Sequence, residues 1–220
     1  MSTITKMTNV AIALQSALGV AKTITGITKA APGVVTATHD FANGDYVVLA
    51  VLGMQQLDGK VYRVCNVSTT VSFQLEDVSG GTGIDTTLFD TFSSGTAKKI
   101  TFGTSLSTVA EISMSGGDFA KVDTSVIHAN IKREIPGLAS PVSIDIKHLW
   151  DITDAGQLAM KAASDAQTQL AIKMTFGVGG KVMVFNGYVG YTALPAGAFG
   201  DALKSSGSIS ATNSPTYYSA

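Results

Sequence analysis

Apolar and polar residues alternate strictly in several short runs of this chain. In residues 142–150 the even-numbered positions carry Val, Ile, Ile, His and Trp, whereas positions 143, 145 and 147 carry Ser, Asp and Lys. Successive side chains point to opposite faces of a β-strand, so a period of two indicates a strand with one buried face. The same alternation occurs in residues 71–76 and 169–176. The chain is therefore predicted to be mainly β.

One pair of strands is predicted to form a hairpin. The alternating run at residues 169–176 ends at a glycine-rich stretch, residues 177–180, and an extended pattern resumes over residues 181–189. Glycine clusters between two strand patterns are typical of a tight connection.

A single stretch has clear helix signals. Thr153 or Asp154 can cap an alanine-rich run whose apolar residues recur at helical spacing, which predicts a helix over about residues 154–165. Residues 10–14 fit either a helical stripe or a strand, and the sequence alone favours neither.

The region between about Thr23 and Ala97 is dense in turn residues. Pro-Gly, Asn-Gly-Asp, Asp-Gly and Gly-Gly-Thr-Gly sequences separate short β-rich runs. These runs are residues 34–38, 46–51, 60–67 and 71–76. Such close spacing predicts a small barrel or sandwich. We therefore expect an inserted β module at residues 24–96 within a larger β domain formed by residues 1–23 and 97–220.

Residues 116–141 form a long segment between two predicted strands. Connections of that length in a compact domain are usually functional or disordered. It is, however, too rich in large aliphatic residues for a disordered linker. Among them are Val126, Ile127, Ile131, Ile135 and Leu138. The segment is predicted to bury these side chains against a partner.

Charge excludes one class of function and suggests another. Only 14% of the residues are charged, against about 25% in typical soluble domains, and the net charge is −1. A protein that reads nucleic acid needs a basic surface, which this composition does not supply. Depletion of charge is instead typical of protein interfaces. No apolar run reaches the ~20 residues of a membrane helix.

No constellation of residues predicts catalysis or metal binding. His39, His128 and His148 share no short spacing, Cys65 is the only cysteine, and no G-x-S-x-G motif occurs. His148 lies on the apolar face of its strand, where a packed or interface histidine is expected. We predict no enzyme, no cofactor and no metal site.

An ordered set of motifs resembles the major tail tube proteins of long-tailed, siphovirus-like bacteriophages. The resemblance covers about the first 20 residues and residues 97–220. Its motifs are Val109–Gly117 (VAEISMSGG), Asp123-Thr124, Arg133–Leu138 (REIPGL), the strand at 142–150, the single helix, Phe185–Val189 (FNGYV) and Ser206–Ile209 (SGSI). Residues 24–96 depart from the minimal subunit of that family, and their opening looks like a small β-barrel module found in phage structural proteins.

The resemblance implies a β-sandwich with one flanking helix and an inserted small β-barrel or sandwich. Six subunits would form a ring by joining sheet edges, and rings would stack into a tube that delivers DNA to the host. The insert would decorate the tube exterior. The long segment, the N-terminal arm and the C-terminal tail would make the ring-to-ring contacts. The predicted contact residues are Val126, Ile127, Ile131, Arg133, Ile135, Pro136, Gly137, Leu138, Tyr217 and Tyr218.

The resemblance also implies partners and a location. The subunit would bind copies of itself, the tape measure protein, and the tail terminator and baseplate proteins. Genomic DNA would pass through the lumen without specific binding, and no membrane would be involved. The protein would reside in the virion after assembly in the host cytoplasm.

A carbohydrate-binding or adhesin-type β module of a phage or bacterial surface structure is the alternative. Such a module needs an exposed aromatic platform. Trp150 is the only tryptophan and lies on an apolar strand face, which makes it a poor platform.

Overall fold

The computed structural model describes residues 9–128, 130–177 and 180–219. Within them the chain is mainly β, as predicted, with one α-helix. The strands are β1 (Val10–Leu18), β2 (Lys22–Ile27), β3 (Val35–Ala37), β4 (Tyr46–Leu52), β5 (Val61–Ser68), β6 (Ser72–Leu75), β7 (Ser94–Ser105), β8 (Val109–Ser115), β9 (Phe119–Asp123), β10 (Glu134–Ala139), β11 (Ser143–Leu149), β12 (Gln169–Phe176), β13 (Val182–Tyr191), β14 (Lys204–Ala211) and β15 (Thr216–Tyr218), and the helix is α1 (Ala155–Ala166).

The turn-rich region forms a closed barrel of six strands. The four short runs predicted there are β3, β4, β5 and β6. The strands follow the order β2-β3-β6-β5-β4-β7, and pairing of β7 with β2 closes the circle. Val47, Leu49, Phe73 and Leu75 fill its interior. Closure leaves no free strand edge in the barrel.

β7 is shared between the barrel and the rest of the molecule. Its first half pairs with β4 and β2, and its second half pairs with β1. From there the sheet continues in the order β1-β12-β13-β14-β11-β8. Residues 10–14, for which helix and strand were both open, are therefore a strand. The predicted hairpin is β12 and β13.

The helix begins and ends within one residue of its predicted bounds. The Asp154 side chain accepts a hydrogen bond from the Gln157 N–H (2.9 Å), which satisfies one free donor at the first turn. Met160 and Ala163 pack into the core formed by strands such as β11 and β13. The helix thus covers the buried face of the sheet.

The C-terminal strand β15 joins the sheet to the barrel. It pairs with β13, and the buried Tyr218 packs against Val61 and Val184. The Tyr218 hydroxyl accepts a hydrogen bond from the Arg63 N–H (2.8 Å), and the Arg63 guanidinium lies 4.8 Å from the centre of the tyrosine ring. Burial raises the pKa of Tyr218 to about 12. The hydroxyl therefore stays neutral and able to hold this contact at ordinary pH.

Arg63 in turn pairs with Glu76 on the neighbouring strand end. Its Nη2 donates to Glu76 Oε1 (2.7 Å), and the same oxygen accepts from the Gly81 N–H (2.8 Å). Burial acts to raise the pKa of Glu76, but the hydrogen bonds from Arg63 and Gly81 outweigh it and hold this pKa below its ordinary value.

This pair predicts a pH dependence of stability. A carboxylate with a lowered folded-state pKa contributes fully above its ordinary pKa of 4.5, and the contribution is lost as the pH falls toward the lower folded-state value. We expect Glu76→Gln to reduce the free energy of unfolding at pH 7 by about 1–3 kcal/mol. It should also flatten the loss of stability between about pH 5 and pH 3.

Urea unfolding of both proteins at several pH values measures this. Glu111→Gln is the control, because Glu111 pairs with Lys147 in an exposed position and should change the unfolding curve little. An unchanged pH profile in Glu76→Gln would show that the ion pair does not stabilise the fold.

Candidate assembly surface

The long segment at residues 116–141 contains a hairpin that stands apart from the main sheet. β9 and β10 pair only with each other among the described residues, with Ile135 opposite Val122 and Glu134 opposite Asp123. The hairpin connects the end of β8 to the start of β11. The chain thus extends a second, two-stranded sheet from one end of the first.

A glycine shapes the point where the hairpin leaves the sheet. Gly116 has φ +89°, and a Cβ atom there would lie 2.1 Å from the Pro141 carbonyl oxygen. Only glycine fits this backbone and this spacing. Two hydrogen bonds then join the outgoing and returning segments of the hairpin. The Gly117 N–H donates to Ser140 O (3.1 Å), and the Ser140 N–H donates to Asp118 O (2.9 Å).

One face of the hairpin carries a network of ion pairs. Lys132 Nζ lies 2.6 Å from Glu134 and 3.9 Å from Asp123, and Lys121 Nζ lies 3.5 Å from Glu134. Hydrogen bonds from the Ser125 hydroxyl and backbone N–H lower the pKa of Asp123. Exposed pairs of this kind each stabilise little, and the two that cross between the two sides of the hairpin favour the observed register.

The apolar side chains of the hairpin are about half covered or less by the described part of the chain. Val122 and Ile135 form a cross-strand pair on one face, and both are exposed. Gly137 leaves room beside them, since a Cβ atom there would lie 3.0 Å from a Val122 methyl group. The remaining exposed aliphatic residues are Val126, Ile127, Ile131 and Leu138. Exposed apolar patches on a monomer are typical of contact surfaces, so the hairpin is the candidate assembly surface.

The structure brings eight of the ten predicted contact residues together. These eight residues lie in β10 or in the connection before it, and they are Val126, Ile127, Ile131, Arg133, Ile135, Pro136, Gly137 and Leu138. Tyr217 and Tyr218 lie elsewhere, in β15. Tyr217 is exposed, but Tyr218 is 2% exposed because it fills the contact with the barrel. We therefore leave Tyr218 out of the assembly surface. The first eight residues of the N-terminal arm lie outside the described residues.

The main sheet has an open edge at β8. This strand pairs with β11 on one side and with no strand of the described residues on the other. Its side chains, among them Ala110 and Met114, are largely exposed. A row of unpaired backbone groups is a template for pairing with another chain.

Comparison with known proteins identifies the family. The model of the phage tail tube protein family matches residues 52–220. This chain belongs to the phage tail tube protein family. The match begins at the last residue of β4. It therefore covers β5 and β6 of the barrel and all the elements from β7 to β15. No curated protein matches the chain.

Membership makes this tail tube protein a structural component of the phage virion that assembles with itself and with other tail proteins. Within residues 9–128, 130–177 and 180–219, no three His, Cys, Asp or Glu side chains are grouped to hold a metal ion. No helix in this part of the chain is long and apolar enough to cross a membrane.

Two of the three histidines and the cysteine are buried in the tail tube subunit, whereas His128 is exposed. His148 is buried, as expected, and burial lowers its pKa. His39 is also buried, between Phe41 and Phe73 in the barrel. Burial raises the pKa of Cys65 to about 11, so its thiol is protonated and weakly nucleophilic. Trp150 is half-buried, and its indole N–H donates to the Ala193 carbonyl (3.0 Å).

We predict that Ile127→Ser weakens assembly of the tail tube protein without destabilising the subunit. The Ile127 side chain is 99% exposed, so it makes almost no contact to lose within the monomer. If it is buried on assembly, its replacement should raise the critical concentration for polymerisation about tenfold. Sedimentation of polymer over a concentration series measures this.

Leu88→Ser is the matched control. Leu88 is 93% exposed, but it lies in the connection between β6 and β7, far along the chain from the hairpin. Equal critical concentrations for Ile127→Ser and Leu88→Ser would show that the hairpin is not part of the assembly surface. A lower melting temperature of monomeric Ile127→Ser would likewise contradict the prediction.

Proposed function

We propose that this tail tube protein forms hexameric rings that stack into a tube and deliver phage DNA into the host. The observation that carries the proposal is the uncovered apolar hairpin in a chain of the tail tube family. Two-stranded hairpins are marginal in water by themselves. A second subunit that covers the apolar side chains of this hairpin would stabilise both the hairpin and the assembly.

Ring closure would use the open edge of the sheet. Pairing β8 with a strand of a neighbouring subunit would satisfy its unpaired backbone groups. A head-to-tail interface that closes on itself produces a ring, and the number six is taken from the family resemblance. The exposed position of β8 at the end of the sheet supports this role.

Stacking would use the hairpin. Its exposed aliphatic residues lie beyond the end of the sheet, where a neighbour along the tube axis can reach them. The ion pairs of Lys121 and Lys132 would then keep the hairpin in one shape as it docks, so that less conformational freedom is lost on assembly.

DNA would pass through the lumen without being held. Neutralising phosphates requires lysine and arginine, and this chain carries 15 such residues against 16 aspartates and glutamates. A wall of near-neutral subunits exerts little attraction on DNA. We infer a conduit and not a DNA-binding surface.

The barrel would lie on the outside of the tube as an inserted module of residues 24–96. Its closed set of strands supports this role, because it has no edge to offer a neighbour in the ring. The tape measure, tail terminator and baseplate proteins would meet the tube inside and at its ends, and assembly would take place in the host cytoplasm.

Deletion of the hairpin tests the proposal. Residues 118–139 are replaced by Gly-Ser-Gly, which joins the chain where Gly117 and Ser140 are already hydrogen-bonded. We expect a folded monomer with a melting temperature close to that of the intact protein, and no tubes in negative-stain electron microscopy at a concentration where the intact protein polymerises. Tubes of the deleted protein with normal stacking would refute the stacking role.

A further inference from the structure

The end of the sheet opposite the hairpin also exposes large apolar side chains. β8, β11 and β14 are antiparallel neighbours, and the hairpin leaves them at Ser115 and Ser143. At their other ends lie residues 150–154, which follow β11, and residues 192–203, which connect β13 to β14. The two regions are separated by the length of β11, about 20 Å.

Four exposed side chains define what we call the acceptor surface: Ile152, Leu194, Phe199 and Leu203. The Phe199 side chain is 109% exposed, so nothing in the described part of the chain covers it. These residues follow no strand or helix period in the sequence, and they stand among turn-forming neighbours such as Pro195 and Gly200.

The backbone beneath the acceptor surface is well anchored. The Trp150 N–H donates to the Leu203 carbonyl (2.9 Å), and its indole N–H donates to the Ala193 carbonyl. Ala196 and Lys204 exchange two backbone hydrogen bonds, of 2.8 and 2.9 Å. The exposed side chains therefore project from a loop that is tied to the end of the sheet at three points.

Charge matches this end of the subunit to the hairpin. Residues 149–154 and 192–204 carry three aspartates and one lysine, a net charge of −2. The connection between β9 and β10, residues 124–133, carries Lys132 and Arg133 and no acidic residue, and Lys132 is already paired with Glu134. Arg133 is exposed and takes part in none of the ion pairs among the described residues.

We propose that the acceptor surface binds the hairpin of a second copy of this chain, in the next ring of the tube. This inference rests on the stacked-ring function proposed above and adds the site that receives the hairpin. Apolar side chains at both ends would cover each other, and the cationic connection would meet the aspartates. Because the two surfaces lie at opposite ends of the same strands, each docked subunit presents a fresh hairpin, and the contact repeats along an axis.

Substitution of Phe199 tests the acceptor surface. Phe199→Ser should raise the critical concentration for polymerisation at least tenfold, because a buried phenyl group is lost from each stacking contact. The monomer should melt at the same temperature, since Phe199 is uncovered in the subunit. Leu88→Ser again serves as the control of equal exposure.

Cross-linking tests the pairing itself. Ile127→Cys and Phe199→Cys proteins are mixed, polymerised and oxidised, and the native Cys65 does not compete because it is buried. A disulfide-linked dimer of the two variants, absent from a mixture of Leu88→Cys and Phe199→Cys proteins, is the expected result.

The outcomes separate this inference from the proposed function. One outcome is that the intact protein forms tubes, Phe199→Ser polymerises normally and no 127–199 cross-link forms. That outcome would show that the acceptor surface does not bind the hairpin, without contradicting the stacked tube. Intact protein that stays monomeric at every concentration would overturn both.

Discussion

A two-stranded hairpin has too little structure to bury its own apolar side chains, and this constraint governs the molecule. β9 and β10 pair only with each other in the described part of the chain, and Ile127 at their connection is almost fully exposed. Cover must come from outside the subunit. The barrel closes on itself and the main sheet has a buried core. The hairpin therefore carries an exposed apolar surface, and we propose that neighbouring subunits of the tube contact it.

The shared strand β7 gives this arrangement its rigidity. Because one twelve-residue strand belongs to both the barrel and the main sheet, the two do not join through a flexible linker. Tyr218 and Arg63 add a second connection through β15. A barrel fixed in this way would be repeated at a constant position and orientation around a tube, as decoration of its exterior requires.

Much of the fold was predictable from local pattern, and the site only in part. Period-two alternation identified β6, β11 and β12, and alanine-rich spacing with an Asp cap identified α1. The double membership of β7 was not predictable, because strand partners are set by contacts distant in sequence. Burial of Tyr218 was missed for the same reason, since β15 is three residues long and its cover comes from the barrel. Phe199 gave no periodic signal at all.

The central claim is that apolar hairpins join successive rings of one tube. Cryo-electron microscopy of the polymerised protein, with helical reconstruction, tests it most directly. We expect hollow tubes in which the hairpin at residues 119–139 of each subunit is buried against a subunit of the next ring. Tubes in which that hairpin points into solvent or into the lumen would contradict it.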